Sequence, residues 1–134
     1  MEYSEFTGDV QHRIGAATQG EAVRTIRAVL TTLGERLSED EAADLASPLP
    51  MEIDWYLLNA ESGQRFDWDE FVSRVAERAD LTEADAVFHV KAVVSVIDEI
   101  EPPGERRDVR GSLPADYGDL FKFADAEHPP WAEA

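Results

Sequence analysis

The sequence predicts an all-α fold, a compact helical bundle of two tandem four-helix repeats related by a pseudo-twofold axis. Three observations predict it. Apolar residues recur at helical spacing, as in Phe6, Val10 and Ile14 at i, i+4 and i+8. The same apolar set returns 64 positions later, where Ala22, Val23, Ile26, Val29, Leu30 and Leu33 become Ala86, Val87, Val90, Val93, Val94 and Ile97. Helix-capping residues stand immediately ahead of the stripes.

The repeat extends further. The same shift carries Leu45 to Val109, Leu49-Pro50 to Leu113-Pro114, Ile53 to Tyr117 and Leu57 to Phe121. Before residue 14 the shift is 65, so Phe6, Val10 and Arg13 match Phe71, Val75 and Arg78. One extra residue therefore sits in the first turn of the first copy. The expected organisation is a single domain, 1–134, with repeats 3–58 and 67–122, a linker 59–66 and a tail 123–134.

Each copy reads as four helices. The first carries Phe6, Val10 and Ile14; its counterpart starts at Asp67-Trp68-Asp69-Glu70, a cap with Glu three positions on. The second and longest helix opens on Thr18-Gln19-Gly20-Glu21, a capping box in which the hydroxyl takes an amide and the Glu reaches back. Residues 22, 23, 26, 29, 30, 33 and 37 then form an apolar stripe. In the second copy this stripe is rich in valine, which favours strands, yet its period is helical and its length exceeds that of a buried strand. The third helix starts at Ser38-Glu39-Asp40-Glu41, and in the second copy at Pro102-Pro103, where the missing amide would be unpaired in any case. The fourth begins near Pro50 and Pro114. The tail after Phe123 contains His128-Pro129-Pro130 and is expected to be irregular, with Trp131 placed to dock on the body.

Composition narrows the function. The chain of 134 residues is 43% hydrophobic, enough for a core. Its longest apolar stretch, Ala92–Ile97, is far below the roughly 20 residues of a membrane span. The acidic start Met1-Glu2-Tyr3-Ser4-Glu5 is unlike a secretory signal, so a cytoplasmic location is expected. With no cysteine there is no disulfide, thiolate metal site or cysteine nucleophile. The net charge is −17, spread over both halves: residues 1–64 hold 12 acids and 4 bases, residues 65–134 hold 17 acids and 8 bases. Only Lys91 and Lys122 are lysines. Such a surface repels itself in dilute buffer, and concentrated salt screens that repulsion. The composition is similar to that of proteins from organisms with a salt-rich cytosol.

Taken together, the repeated segments resemble the family known as domain of unknown function 2267. The matching elements are Phe6 and Val10, Phe71-Val72 and Val75, then Arg27-Ala28-Val29-Leu30 with Leu33 and Arg36-Leu37. Glu41, Leu45 and Leu49-Pro50 follow. In the second copy the match runs through Gly104-Glu105, Asp108-Val109-Arg110, Leu113-Pro114 and Leu120-Phe121. It covers about residues 3–122. The resemblance implies a duplicated all-helical domain and brings no activity. Pro48 and Pro102-Pro103 depart from the usual pattern, at the third helices.

No catalytic constellation emerges. His12, His89 and His128 have no partner at the spacing of a helical metal pair, and no His-Glu-x-x-His occurs. Glu39-Asp40-Glu41 with Asp44 reads as a capped, solvated helix start rather than a cation site. There is no glycine-rich phosphate loop and no Gly-x-Ser-x-Gly elbow. No catalytic residue, metal ligand or cofactor is assigned. Residues 70–86 are similar to the opening helix pair of histone-like DNA-bending proteins, but the basic arms of those proteins are missing and the charge opposes phosphate binding.

The aromatics are the remaining candidates. Trp55 and Tyr56 sit in a run of four bulky residues that cannot all face one core, Trp68 follows the linker, and Trp131 lies in the tail. Trp and Tyr are enriched at binding hot spots, so these four form the candidate partner surface. The function expected is a non-catalytic interaction or regulatory module in a salt-rich cytosol, binding an unidentified protein or itself, with nucleic acid and membrane not expected as partners. The alternative is an enzyme or small-ligand binder with a pocket between the repeats.

Overall fold

In the computed structural model, which describes residues 1–133, the described residues form eight α-helices and two 3-10 segments, with no strand. Helices α1 (Tyr3–Ile14), α2 (Gln19–Arg36), α3 (Glu39–Ala46) and α4 (Met51–Leu58) make the first half. Helices α5 (Trp68–Ala79), α6 (Glu83–Ile100) and α7 (Pro103–Ser112), the 3-10 helix Ala115–Phe121 and the short α8 (Lys122–Asp125) make the second, followed by a 3-10 turn at Pro130–Glu133.

Local chemistry sets the helix ends. Thr18, Ser38, Asp67 and Thr82 each accept the amide three residues on. At Ser38 the Glu41 carboxylate returns the contact to the Ser38 amide at 2.9 Å, a complete capping box. At Thr18 the box is incomplete, because Glu21 reaches the Ala17 amide instead, at 3.3 Å. Helices α1 and α5 both stop on a left-handed residue, Gly15 (φ 67) and Asp80 (φ 56). Glycine pays no steric cost there.

The two 18-residue helices α2 and α6 run through the centre. Ile26, Val29, Leu30 and Leu33 on one, and Val90, Val93, Val96 and Ile97 on the other, are almost wholly buried. Each such side chain contributes about 1.5–3 kcal/mol on burial. That driving force makes α6 a helix despite its valines. Helices α1 and α4 pack on α2; α5 and α8 pack on α6. Across the halves, α1 packs on α6 and α5 packs on α2. Gly34 lets α4 approach closely: a Cβ there would sit 2.6 Å from the Leu57 carbonyl oxygen and 2.8 Å from the Ala60 Cβ.

Two expected elements take another form. The segment after Pro114 is a 3-10 helix, not the expected fourth α-helix. Gly118 weakens α-helix there by about 1 kcal/mol, and Tyr117 is pinned by its hydroxyl, which donates to the Phe66 carbonyl at 2.7 Å. The tail is irregular only at 126–129, since Lys122–Asp125 is helical and Pro130–Glu133 a 3-10 turn. Its aromatic side chains account for this by packing on α1 and α6, as described below.

Candidate functional site

The seam between the halves is built from long-range polar contacts. Arg13 of α1 reaches α6, donating to Ser95 Oγ at 2.8 Å and to both Glu99 carboxylate oxygens at 2.8 and 2.9 Å. Arg78 of α5 reaches α2, donating to Thr32 Oγ1 at 2.9 Å and to the Glu35 carboxylate at 2.6 and 3.0 Å. Between the two long helices, Thr25 Oγ1 lies 3.2 Å from His89 Nδ1. Burial lowers the His89 pKa, against the pull of Asp85, and so favours the neutral imidazole.

The four candidate aromatics fall in different surroundings. Trp55 is 58% exposed, and with Met51 and Leu58, also exposed, it forms one uncovered face of α4 at i, i+4 and i+7. Tyr56 is half-buried and meets the Trp55 ring edge-on at 5.8 Å. Trp68 is half-buried, stacked on Phe71 at 5.7 Å and edge-on to Tyr117. Trp131 is half-buried, edge-on to Phe123 at 5.3 Å, with the Arg13 guanidinium 5.0 Å above it. The structure thus brings together Trp55 and Tyr56, and sets Trp68 and Trp131 in two separate aromatic clusters.

Beside Tyr56 lies an open groove of about 600 Å³, lined by Gly20, Val23, Arg24, Arg27, Ala28, Thr31 and Arg78. Three arginines and no acid line it, on a protein of net charge −17. Arg78 is engaged with Glu35. Arg24 and Arg27 are exposed, and among the described residues neither forms an ion pair. Sequence reasoning missed this site, because Tyr56 and Arg78 join α2 only through tertiary packing.

A second feature was also illegible. Glu101, at the end of α6, is 2% exposed, and neither carboxylate oxygen has a hydrogen-bond partner. It borders a cavity with Leu33, Leu45, Val94, Val109 and Leu120, where a water-sized occupant has about 20 Å³. That is room for about one water. Burial pushes the Glu101 pKa up to about 8; Glu105 and Asp98 add to the shift and Arg106 opposes it. Among the described residues no group of three or more His, Asp or Glu is arranged to hold a metal ion.

Comparison with known proteins adds one finding. No curated protein matches the chain. The family described as an uncharacterized conserved protein (DUF2267) matches residues 3–120, nearly the whole chain and the span over which the sequence resembles it. The chain belongs to that family.

Proposed function

We propose that the protein is a duplicated helical module whose role is non-catalytic: it binds another protein through the surface around Trp55 and Tyr56. The observation that carries this reading is the uncovered apolar face of α4, Met51, Trp55 and Leu58, joined through Tyr56 to the groove that Arg24 and Arg27 line. Exposed apolar residues aligned on one helix face mark an interaction site more often than scattered ones do. Tryptophan, tyrosine and arginine are the residue types that dominate binding energy. Trp68 and Trp131 lie in two other aromatic clusters, on Phe71 and on Phe123, and their part is to brace the fold.

The duplication is supported by reciprocity. Arg13 and Arg78 are matched positions, as are Glu35 and Glu99. Each arginine pairs with the glutamate of the other half. Reciprocal exchange of this kind belongs to a twofold relation. Thr25 and His89, also matched, touch each other, which a twofold axis passing between them would require. The repeats are 3–58 and 67–122 within one domain. The setting we propose is a salt-rich cytosol, on the strength of 29 acids against 12 bases and only two lysines.

A small-ligand binder with a pocket between the repeats is the second reading. Its support is the Glu101 cavity, which residues of both halves line. Its size weighs against it, since about 20 Å³ holds a water and not a substrate.

The test is affinity capture from a native high-salt lysate by the wild-type chain and by W55A/Y56A. Loss of specific partners by the variant supports the proposal, and recovery of the same partners by both sinks it.

A further inference from the structure

The groove beside Tyr56 has a counterpart on the other half, and that counterpart is full. Under the 64- and 65-residue shifts, Arg24, Arg27, Thr31 and Arg78 correspond to Phe88, Lys91, Ser95 and Arg13. The chain's own tail lies over three of them, Phe88, Lys91 and Arg13. Phe123 meets Phe88 edge-on at 5.1 Å, and Lys91 Nζ stands 4.7 Å from the Phe123 ring centre. Trp131 packs on Phe123 at 5.3 Å, beneath the Arg13 guanidinium at 5.0 Å. Two rings of the tail are thus each held by a cation of the groove. Between them the tail carries Asp125 and Glu127.

The first half has no such tail. Helix α4 ends at Leu58, and the linker turns back to the end of α2, where the Gly63 amide donates to the Leu37 carbonyl at 2.7 Å and the Gln64 amide to the Glu35 carbonyl at 2.9 Å. The groove stays open. Its cations match those of the filled one: Arg27 stands where Lys91 holds a ring and Arg78 where Arg13 does. The difference is Arg24, a cation in the place of Phe88.

We infer that this open groove is a docking site for an acidic segment of a partner protein that carries two aromatic side chains. One ring lies over Arg27 and the other over Arg78. A carboxylate meets Arg24, where the filled groove offers Phe88. The local charge favours the same occupant, because three arginines and no acid line the groove; the net charge of −17 opposes it only at long range, where concentrated salt screens it. Tyr56 lines the groove and joins it to the exposed Trp55, so the partner surface is continuous. The inference rests on the duplication proposed above and names the chemistry of that partner.

The experiment uses a labelled synthetic peptide with the sequence of residues 121–132, titrated into the full-length protein by fluorescence anisotropy in potassium chloride that keeps the chain folded. Saturable binding is expected. R24E/R27E is expected to weaken it by about tenfold or more, a loss of at least 1.4 kcal/mol. A peptide with both Phe123 and Trp131 replaced by Ala is expected to lose binding altogether. Circular dichroism checks that the variant is folded, and R27A is the milder second variant if it is not. No saturable binding to the wild type overturns the inference. Equal binding to wild type and R24E/R27E also overturns it, because the peptide would then be entering the groove of its own tail or another surface. The duplication is read separately, from distances between the halves, so a peptide that does not bind counts against the groove alone.

Discussion

Thr25 and His89 are 64 residues apart in the chain and 3.2 Å apart in space, hydroxyl to ring nitrogen. Under the proposed duplication they are matched positions, and the ion pairs Arg13–Glu99 and Arg78–Glu35 join matched positions in the same way. The two pairs share chemistry and differ in burial. The Glu35 side chain is 13% exposed and serves both Arg74 and Arg78, whereas the Glu99 side chain is 58% exposed.

That difference sets their worth. E35Q is expected to cost about 1–3 kcal/mol, because it removes the charge from a partly buried carboxylate that serves two arginines. E99Q is expected to cost less than about 1 kcal/mol, since an exposed pair is screened by solvent. Urea unfolding of both variants checks the order. A larger loss for E99Q would contradict it.

Two glycines in helices should respond with opposite sign. G34A drives a Cβ to 2.6 Å from the Leu57 carbonyl oxygen, which the backbone cannot avoid cheaply. A loss of about 1–3 kcal/mol is expected from overpacking. Gly8, in α1, has nothing within 4 Å of its absent Cβ. G8A is expected to gain about 0.5–1 kcal/mol from helix propensity. Thermal melts of the two variants read the sign directly.

Glu101 makes stability depend on pH. Its pKa rises from the ordinary 4.5 to about 8 on folding. The folded state therefore holds a proton that the unfolded state releases above pH 4.5. This group's contribution is full below pH 4.5, falls by roughly 1.4 kcal/mol per pH unit, and is lost as pH passes 8. Glu101 stands at the position matched by Leu37, which is buried at 1% exposure. E101L is expected to remove that slope between pH 5 and 8 and to be the more stable protein at pH 8. Parallel slopes in variant and wild type would refute it.

Salt acts on the whole surface. Raising potassium chloride from about 0.1 to 1 M cuts the screening length from about 10 to 3 Å. Repulsion among 29 acids then fades, and so does the attraction in the seven ion pairs of the described residues. The excess of acids makes repulsion the larger effect. The melting temperature is expected to rise by several degrees, each kcal/mol being worth roughly 3–5 °C at this size. A midpoint indifferent to salt would remove the salt-rich setting.

The helices were legible because their signals are local. Phe71 and Val75 announce α5 by spacing, and Ser38 with Glu41 announces α3 by its cap. Glu101 was not, since a carboxylate between Ile100 and Pro102 reads as a solvated helix end. Only the packing of α2, α3, α7 and the 3-10 helix around it encloses it. The 3-10 form of residues 115–121 depends on Tyr117 reaching Phe66, 51 residues away. The groove joins Tyr56 and Arg78 to α2, and no spacing along the chain records that. Of the candidate aromatics, position in sequence could not separate exposed Trp55 from Trp68, which stacks on Phe71.

The absence of cysteine in the sequence permits a direct reading of the twofold relation. Spin labels on cysteines introduced at His12 and Asp85 span the halves one way; labels at Glu77 and Glu21, the matched positions, span them the other way. All four sites are exposed. Double electron–electron resonance should return the same distance for both pairs, within the spread of the label. Two clearly different distances would mean that the halves are not related by a twofold axis.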